Sequence, residues 1–99
     1  MNVNITSVRF KADKKLHAFI TEKIEKLTNT YNGVIGSNVT LRLDNSDDAK
    51  NKITEIKLIV RGYEMYAKKK SKTFEEATDS AVEALRKQLK KHKEKTRGI

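Results

Sequence analysis

An α+β domain, with one four-stranded sheet and two helices packed on one of its faces, is what these 99 residues predict. Three observations lead there. Four stretches alternate apolar and polar side chains with the period of two that belongs to half-buried strands. Two longer stretches space their apolar residues three and four apart, as amphipathic helices do. The resulting order, β-α-β-β-β-α, contains no proline, repeat or linker, and the length leaves room for a single domain.

Each element has a local reason. Residues 2–8 place Val3 and Ile5 on one side and Asn4 and Thr6 on the other, a first strand. Asp13 is a suitable N-cap for a helix carrying Leu16, Phe19, Ile20, Ile24, Leu27 and Tyr31, which Asn32-Gly33 ends. Val39, Leu41 and Leu43 alternate with Thr40 and Arg42 in a second strand, which stops in the polar surface loop Asp44-Asn45-Ser46-Asp47-Asp48. Ile56, Leu58 and Val60 form the inward set of a third strand. Gly62 connects it to a fourth containing Met65 and Ala67, so the two read as a hairpin. Thr73-Phe74-Glu75-Glu76 is a capping box opening a helix with Ala81, Val82, Leu85 and Leu89 on one side, interrupted only by Gly98. Both helices have one apolar stripe, so they should lie side by side on one face of the sheet and leave the other face wet.

Composition excludes several classes of function. There is no cysteine, hence no disulfide framework, thiolate chemistry or Cys-ligated zinc; His17 and His92 lie far apart in sequence and start no metal site. No serine sits in a glycine elbow, the glycines are isolated and cradle no phosphate, and the carboxylates are local to loops and caps. Neither enzyme activity nor a cofactor is expected, and no small-molecule substrate. No apolar run approaches a membrane span and the N-terminus lacks a secretory pattern, so a cytoplasmic protein without membrane contact is expected. The sequons Asn4-Ile5-Thr6 and Asn38-Val39-Thr40 fall inside predicted strands and read as chance matches.

The charge balance is informative. Lys and Arg number 22 against 13 Asp and Glu, a formal net charge of +9, and half of the bases lie between Lys68 and Arg97. In the last helix Glu75, Glu76, Asp79 and Glu83 occupy the first part. Arg86, Lys87, Lys90, Lys91, Lys93, Lys95 and Arg97 occupy the second, against the single acid Glu94. Acids at a helix N-terminus and bases at its C-terminus suit the macrodipole, but that effect fades within a turn and accounts for only a few of these bases. In helical projection Lys87, Lys91 and Lys95 flank the apolar stripe on one side, and Arg86, Lys90, Lys93 and Arg97 on the other. Cationic shoulders on both sides exceed what solubility requires and point to nucleic acid.

The first helix contributes Lys23, which falls within its apolar arc, with Lys15 and Lys26 on the adjoining flank. Lys23 either snorkels from the core edge to water or lines a groove between the helices, where cations from both would meet one phosphate backbone. Lys68 and Lys70 on the fourth strand point away from Met65 and Ala67. They either add to a phosphate-binding surface or discourage edge-to-edge aggregation. Tyr63 and Tyr66 are candidates for stacking on bases, with packing as the simpler reading. The principal phosphate contacts are therefore Lys23, Lys26, Lys87, Lys91 and Lys95; Arg86, Lys90, Lys93, Lys68 and Lys70 form a second tier.

With these elements in place, the chain resembles the short ribosome hibernation promoting factors and ribosome-associated inhibitors of the sigma-54 modulation protein family, over essentially all its residues. Asn4-Ile5-Thr6, Leu16, Lys23, Lys26, Leu27, Val60, Gly62 and Ala67 carry the resemblance. Its most specific stretch is Lys87-Gln88-Leu89-Lys90-Lys91-His92-Lys93-Glu94-Lys95. Thr73-Phe74-Glu75 stands where the family often has Asp-Met-Tyr, Asp79 retains the acid usual in that helix, and Ala84 occupies a position commonly cationic, with Arg86 as neighbour.

The resemblance implies a fold similar to a double-stranded RNA-binding domain. It also implies a site on the small ribosomal subunit, against 16S rRNA in the decoding channel between head and body, overlapping the paths of mRNA and of A- and P-site tRNA. Translation would be inhibited by occupancy in stationary phase or stress. Residues 1–99 would then be one ribosome-binding domain, a short form without the C-terminal dimerisation domain of longer members. Ribosome dimerisation would need a separate ribosome modulation factor or would not occur, and both stay open. Two further readings compete: a generic double-stranded RNA binder acting away from the ribosome, and an interaction module for acidic protein surfaces.

Overall fold

Four strands and two helices form in the predicted order: β1 Asn2–Val8, α1 Lys14–Asn29, β2 Val34–Leu43, β3 Lys52–Val60, β4 Tyr63–Ser71 and α2 Phe74–Arg97. The computed structural model describes residues 2–29, 31, 33–44 and 49–97, with side chains described through His92. Asn32, the loop residues Asn45, Ser46, Asp47 and Asp48, and Gly98 lie outside the described residues.

The sheet order is β1-β2-β3-β4. β1 runs parallel to β2, with α1 as the crossover between them, while β2, β3 and β4 are successively antiparallel. One row across the sheet, Ile5, Val39, Ile56 and Ala67, turns toward the helices; the next, Asn4, Asn38, Lys57 and Tyr66, turns away. The period-two alternation is thus realised in register across all four strands.

Both helices pack on the inward rows. Leu16, Ile20, Ile24 and Leu27 of α1 and Ala81, Val82, Leu85 and Leu89 of α2 join Val39, Leu41, Ile56, Leu58 and Met65 in one buried cluster. Each large aliphatic side chain so buried contributes about 1.5–3 kcal/mol. Both helix starts are capped, the Leu16 N–H donating to Asp13 Oδ1 at 2.8 Å and the Glu76 N–H to Thr73 Oγ1 at 3.0 Å; among the described residues the reciprocal half of the capping box, from the Thr73 N–H to the Glu76 carboxylate, does not form. Arg61 and Gly62 make the two-residue hairpin connection, with Gly62 at φ +91°, where a side chain is strained.

Two sequence expectations are corrected, and one strand end is qualified. Tyr31 does not extend α1, which ends at Asn29; its N–H donates to the Thr28 carbonyl at 3.1 Å in the following turn. Leu43 keeps the inward register of β2 but is 43% exposed, because it is the last residue of its strand. The outer face is not uniformly wet, since Ile53 is buried between its register neighbours Arg42 and Lys70, whose aliphatic stems can cover it. Asn4 and Asn38 are paired on this face, Nδ2 to Oδ1 at 3.2 Å, so both sequons lie within the sheet.

Candidate nucleic-acid interface

α2 separates its charges along its length. Its exposed acids, Glu75, Glu76, Asp79 and Glu83, lie in the first half, and Arg86, Lys87, Lys90 and Lys91 are all exposed in the second. Only Arg86 is tied locally, Nε to Glu83 Oε2 at 3.6 Å. Lys87, Lys90 and Lys91 form no ion pair among the described residues, so their charge is available to a partner. The side chains of Lys93 and Lys95 lie outside the described residues; the helical backbone continues through both to Arg97. His92 packs against Tyr63, ring centroids 4.5 Å apart, which seats this part of α2 over the hairpin end.

Lys23 lies where α1 meets α2. Its Nζ is 3.1 Å from Asp79 Oδ1 and 5.4 Å from the centre of the Phe19 ring, and its side chain is 38% exposed. The side chain therefore combines the two expectations, lying along apolar surface while its ammonium reaches the seam between the helices. Its charge is already matched by a carboxylate. Lys26, one helical turn on, pairs with Glu22 at 3.1 Å in the i, i+4 relation.

Lys68 and Lys70 are held elsewhere. Both project from β4 on the sheet face opposite the helices, Lys68 pairing with Glu55 at 3.7 Å and Lys70 with Asp44. Six of the predicted contacts, Lys23, Lys26, Arg86, Lys87, Lys90 and Lys91, belong to the helical layer, and these two to the far side. A flat partner can reach one set at a time.

Glu55 organises the far side, a role that sequence reasoning missed. Its side chain is 16% exposed, with Arg42 at 3.2 Å and Lys68 at 3.7 Å, and the Tyr66 phenol lies beside it. Desolvation and this carboxylate push the Tyr66 phenol above its ordinary value, Arg42 opposing them. Of the two tyrosines considered for base stacking, Tyr63 is packed under His92, whereas Tyr66 is 51% exposed. The alternation of β3 marked Glu55 as outward-facing, but only the register places three partners around it.

The sequence also gave no sign of Gln88, which donates from Nε2 to the Tyr66 carbonyl at 3.1 Å and so covers a backbone acceptor on the edge strand β4. Among the described residues no group of three or more His, Asp or Glu side chains could hold a metal ion, and no helix is long and apolar enough to cross a membrane. What the helical layer offers is a fixed array of ammonium groups. Such an array recognises phosphates by position and charge.

The same fold recurs in known proteins. The chain is similar in structure to a ribosomal subunit interface protein from Coxiella burnetii, with a TM-score of 0.83 at 17% identity over 94% of this chain and 98% of that one. It is also similar to the N-terminal domain of Protein Y from Thermus thermophilus, with a TM-score of 0.79 at 20% identity over 93% and 99%. At these identities the likeness establishes the fold. No curated protein sequence matches the chain. The family profile described as sigma 54 modulation protein / S30EA ribosomal protein matches residues 3–97. The chain therefore belongs to the sigma 54 modulation protein / S30EA ribosomal protein family, whose members are ribosome-associated and act by binding, without catalysis.

Proposed function

We propose that the protein is a hibernation factor of the cytoplasm that binds the small ribosomal subunit in its decoding channel. There it blocks mRNA and A- and P-site tRNA and silences translation in stationary phase or stress. Family membership supports the ribosome as partner, and Lys87, Lys90 and Lys91 on the second half of α2, exposed and without an ion pair among the described residues, carry the choice of rRNA phosphates as the contact. Lys23, Lys26, Lys95, Arg86 and Lys93 extend that contact along the helical layer, while Lys68 and Lys70 would engage only a partner that wraps to the far side. Inhibition needs no chemistry: a rigid domain lodged among folded RNA strands excludes the substrates by volume. A separate ribosome modulation factor is a further candidate partner on the same particle.

The test is an in vitro protein-synthesis reaction with purified chain in excess over ribosomes, followed by cryo-electron microscopy of the mixture. Synthesis should fall in proportion to occupancy, with density between the head and body of the small subunit. Synthesis at full rate with the subunit saturated would overturn the proposal. Comparable affinity for free RNA duplexes and for small subunits would favour the generic duplex binder.

A further inference from the structure

At the start of α1 a cleft of about 470 Å³ is lined by Ser7, Phe10, Lys11, Ala12, Lys14 and His17, within the ~300–1,000 Å³ typical of small-molecule sites. We propose that this cleft seats one unpaired nucleotide of an RNA strand, its base on Phe10 and its phosphate among Lys11, Lys14 and His17.

An aromatic stack borders the cleft. The Phe10 and Phe74 rings lie 5.0 Å apart and 8° from parallel. Phe74 is buried, so it fixes Phe10 from one side, and Phe10 also borders the cleft. A base entering there would continue the stack, and stacking is tolerant of base identity because every base has a π-face. The backbone just before Phe10 is held in an unusual shape: Arg9 has φ 65°, a left-handed conformation that a bulky residue rarely adopts. Such outliers persist where the surrounding structure fixes them and gather at ligand sites.

The charges at the start of α1 follow a pattern that the helix alone does not favour. A helix N-terminus prefers acids, yet the first turn of α1 contains none and begins Lys14-Lys15. Asp13, the adjacent acid, turns its carboxylate to cap the Leu16 N–H, and among the described residues no acid lines the cleft. An apolar floor beside a cationic rim matches a ligand with a flat apolar body and an anionic group. A nucleotide has both. A purely aliphatic occupant would leave the three basic side chains without use.

The inference rests on the RNA-binding reading above but uses a different surface, so the two can fail separately. The experiment is NMR titration of the full chain with single-stranded triadenylate, with inorganic phosphate and a blunt RNA duplex as comparison probes. Triadenylate should shift the Phe10 ring and the Ala12, Lys14 and His17 signals. Phosphate should leave the Phe10 ring unmoved, and Phe10→Leu should weaken binding at least about fivefold. Lys11→Gln with Lys14→Gln, which leaves the apolar packing intact, should also weaken it, whereas Lys87→Glu with Lys91→Glu should leave the Phe10 shift in place. Equal shifts with phosphate, no shift at Phe10, or unchanged affinity in the Lys11/Lys14 variant would each overturn the nucleotide site. The translation block surviving such a result would show that only this inference, and not the ribosomal one, had failed.

Discussion

Lys23 of α1 and Asp79 of α2 form an ion pair at 3.1 Å across the seam between the two helices, with their side chains 38% and 53% exposed. The pair sits at the acidic first half of α2 and presents a carboxylate to any phosphate that approaches Lys23. Asp79 thus holds Lys23 in place and also competes for it.

Replacing that carboxylate should separate the two effects. Pairs this exposed contribute about 0–1 kcal/mol, so Asp79→Asn should alter the urea midpoint little. It should tighten binding to small subunits at low salt, because one negative charge leaves the interface and Lys23 is released. A filter-binding series with Asp79→Asn measures this; weaker binding by the variant would show that the pair positions Lys23 and does not merely compete for it.

The salt dependence of binding counts the phosphates that are neutralised. With ~6–8 contacts the slope of log affinity against log salt should be roughly −4 to −7. Lys87→Gln with Lys91→Gln should flatten that slope by about 1.4–1.8, at about 0.7–0.9 per contact. Thermal stability should hardly move, since both side chains are exposed and make no ion pair among the described residues. An unchanged slope would remove these two lysines from the interface.

Inside the protein, Thr54 of β3 and Thr78 of α2 are both fully buried and share a hydrogen bond at 3.3 Å between their hydroxyls. Thr78→Val strands the Thr54 hydroxyl and should cost about 1–3 kcal/mol, whereas Thr54→Val with Thr78→Val should be nearly neutral. A double-mutant cycle by chemical denaturation checks this. Additive losses would mean that the two hydroxyls do not depend on each other.

Alkaline pH should unfold the protein partly through Tyr63. Burial pushes its phenol above the ordinary value, and among the described residues its hydroxyl has no hydrogen-bond partner. The folded state therefore binds this proton more tightly than the unfolded state. The associated stability is fully present below the unfolded pKa of about 10 and is lost as pH rises through the folded value. Tyr63→Phe should keep stability at neutral pH and reduce the decline above it, as followed by denaturation midpoints across the alkaline range.

Much of this architecture was legible from local pattern. Alternation in β1, β3 and β4, the three-and-four spacing of Leu16, Ile20, Ile24 and Leu27, and the caps at Asp13 and Thr73 involve residues close in sequence. Local chemistry is enough to read them. The cationic second half of α2 was equally plain, because charge on an exposed helix needs no partner to be recognised. Tyr31 was misplaced at the end of α1, where periodicity no longer distinguishes a last helical turn from the turn that follows.

Long-range relations were settled by folding alone. That Lys23 meets Asp79, that Glu55 gathers Arg42, Lys68 and Tyr66, and that Phe10 stacks on Phe74 depends on strand register and helix placement, which bring together residues distant in sequence. The same packing divides the basic residues between two faces, because Lys68 and Lys70 lie outward on a sheet whose inward side is covered by α1 and α2. One-dimensional pattern assigns a side chain to a face of its own element. Which other elements share that face is decided by the burial of the common apolar core.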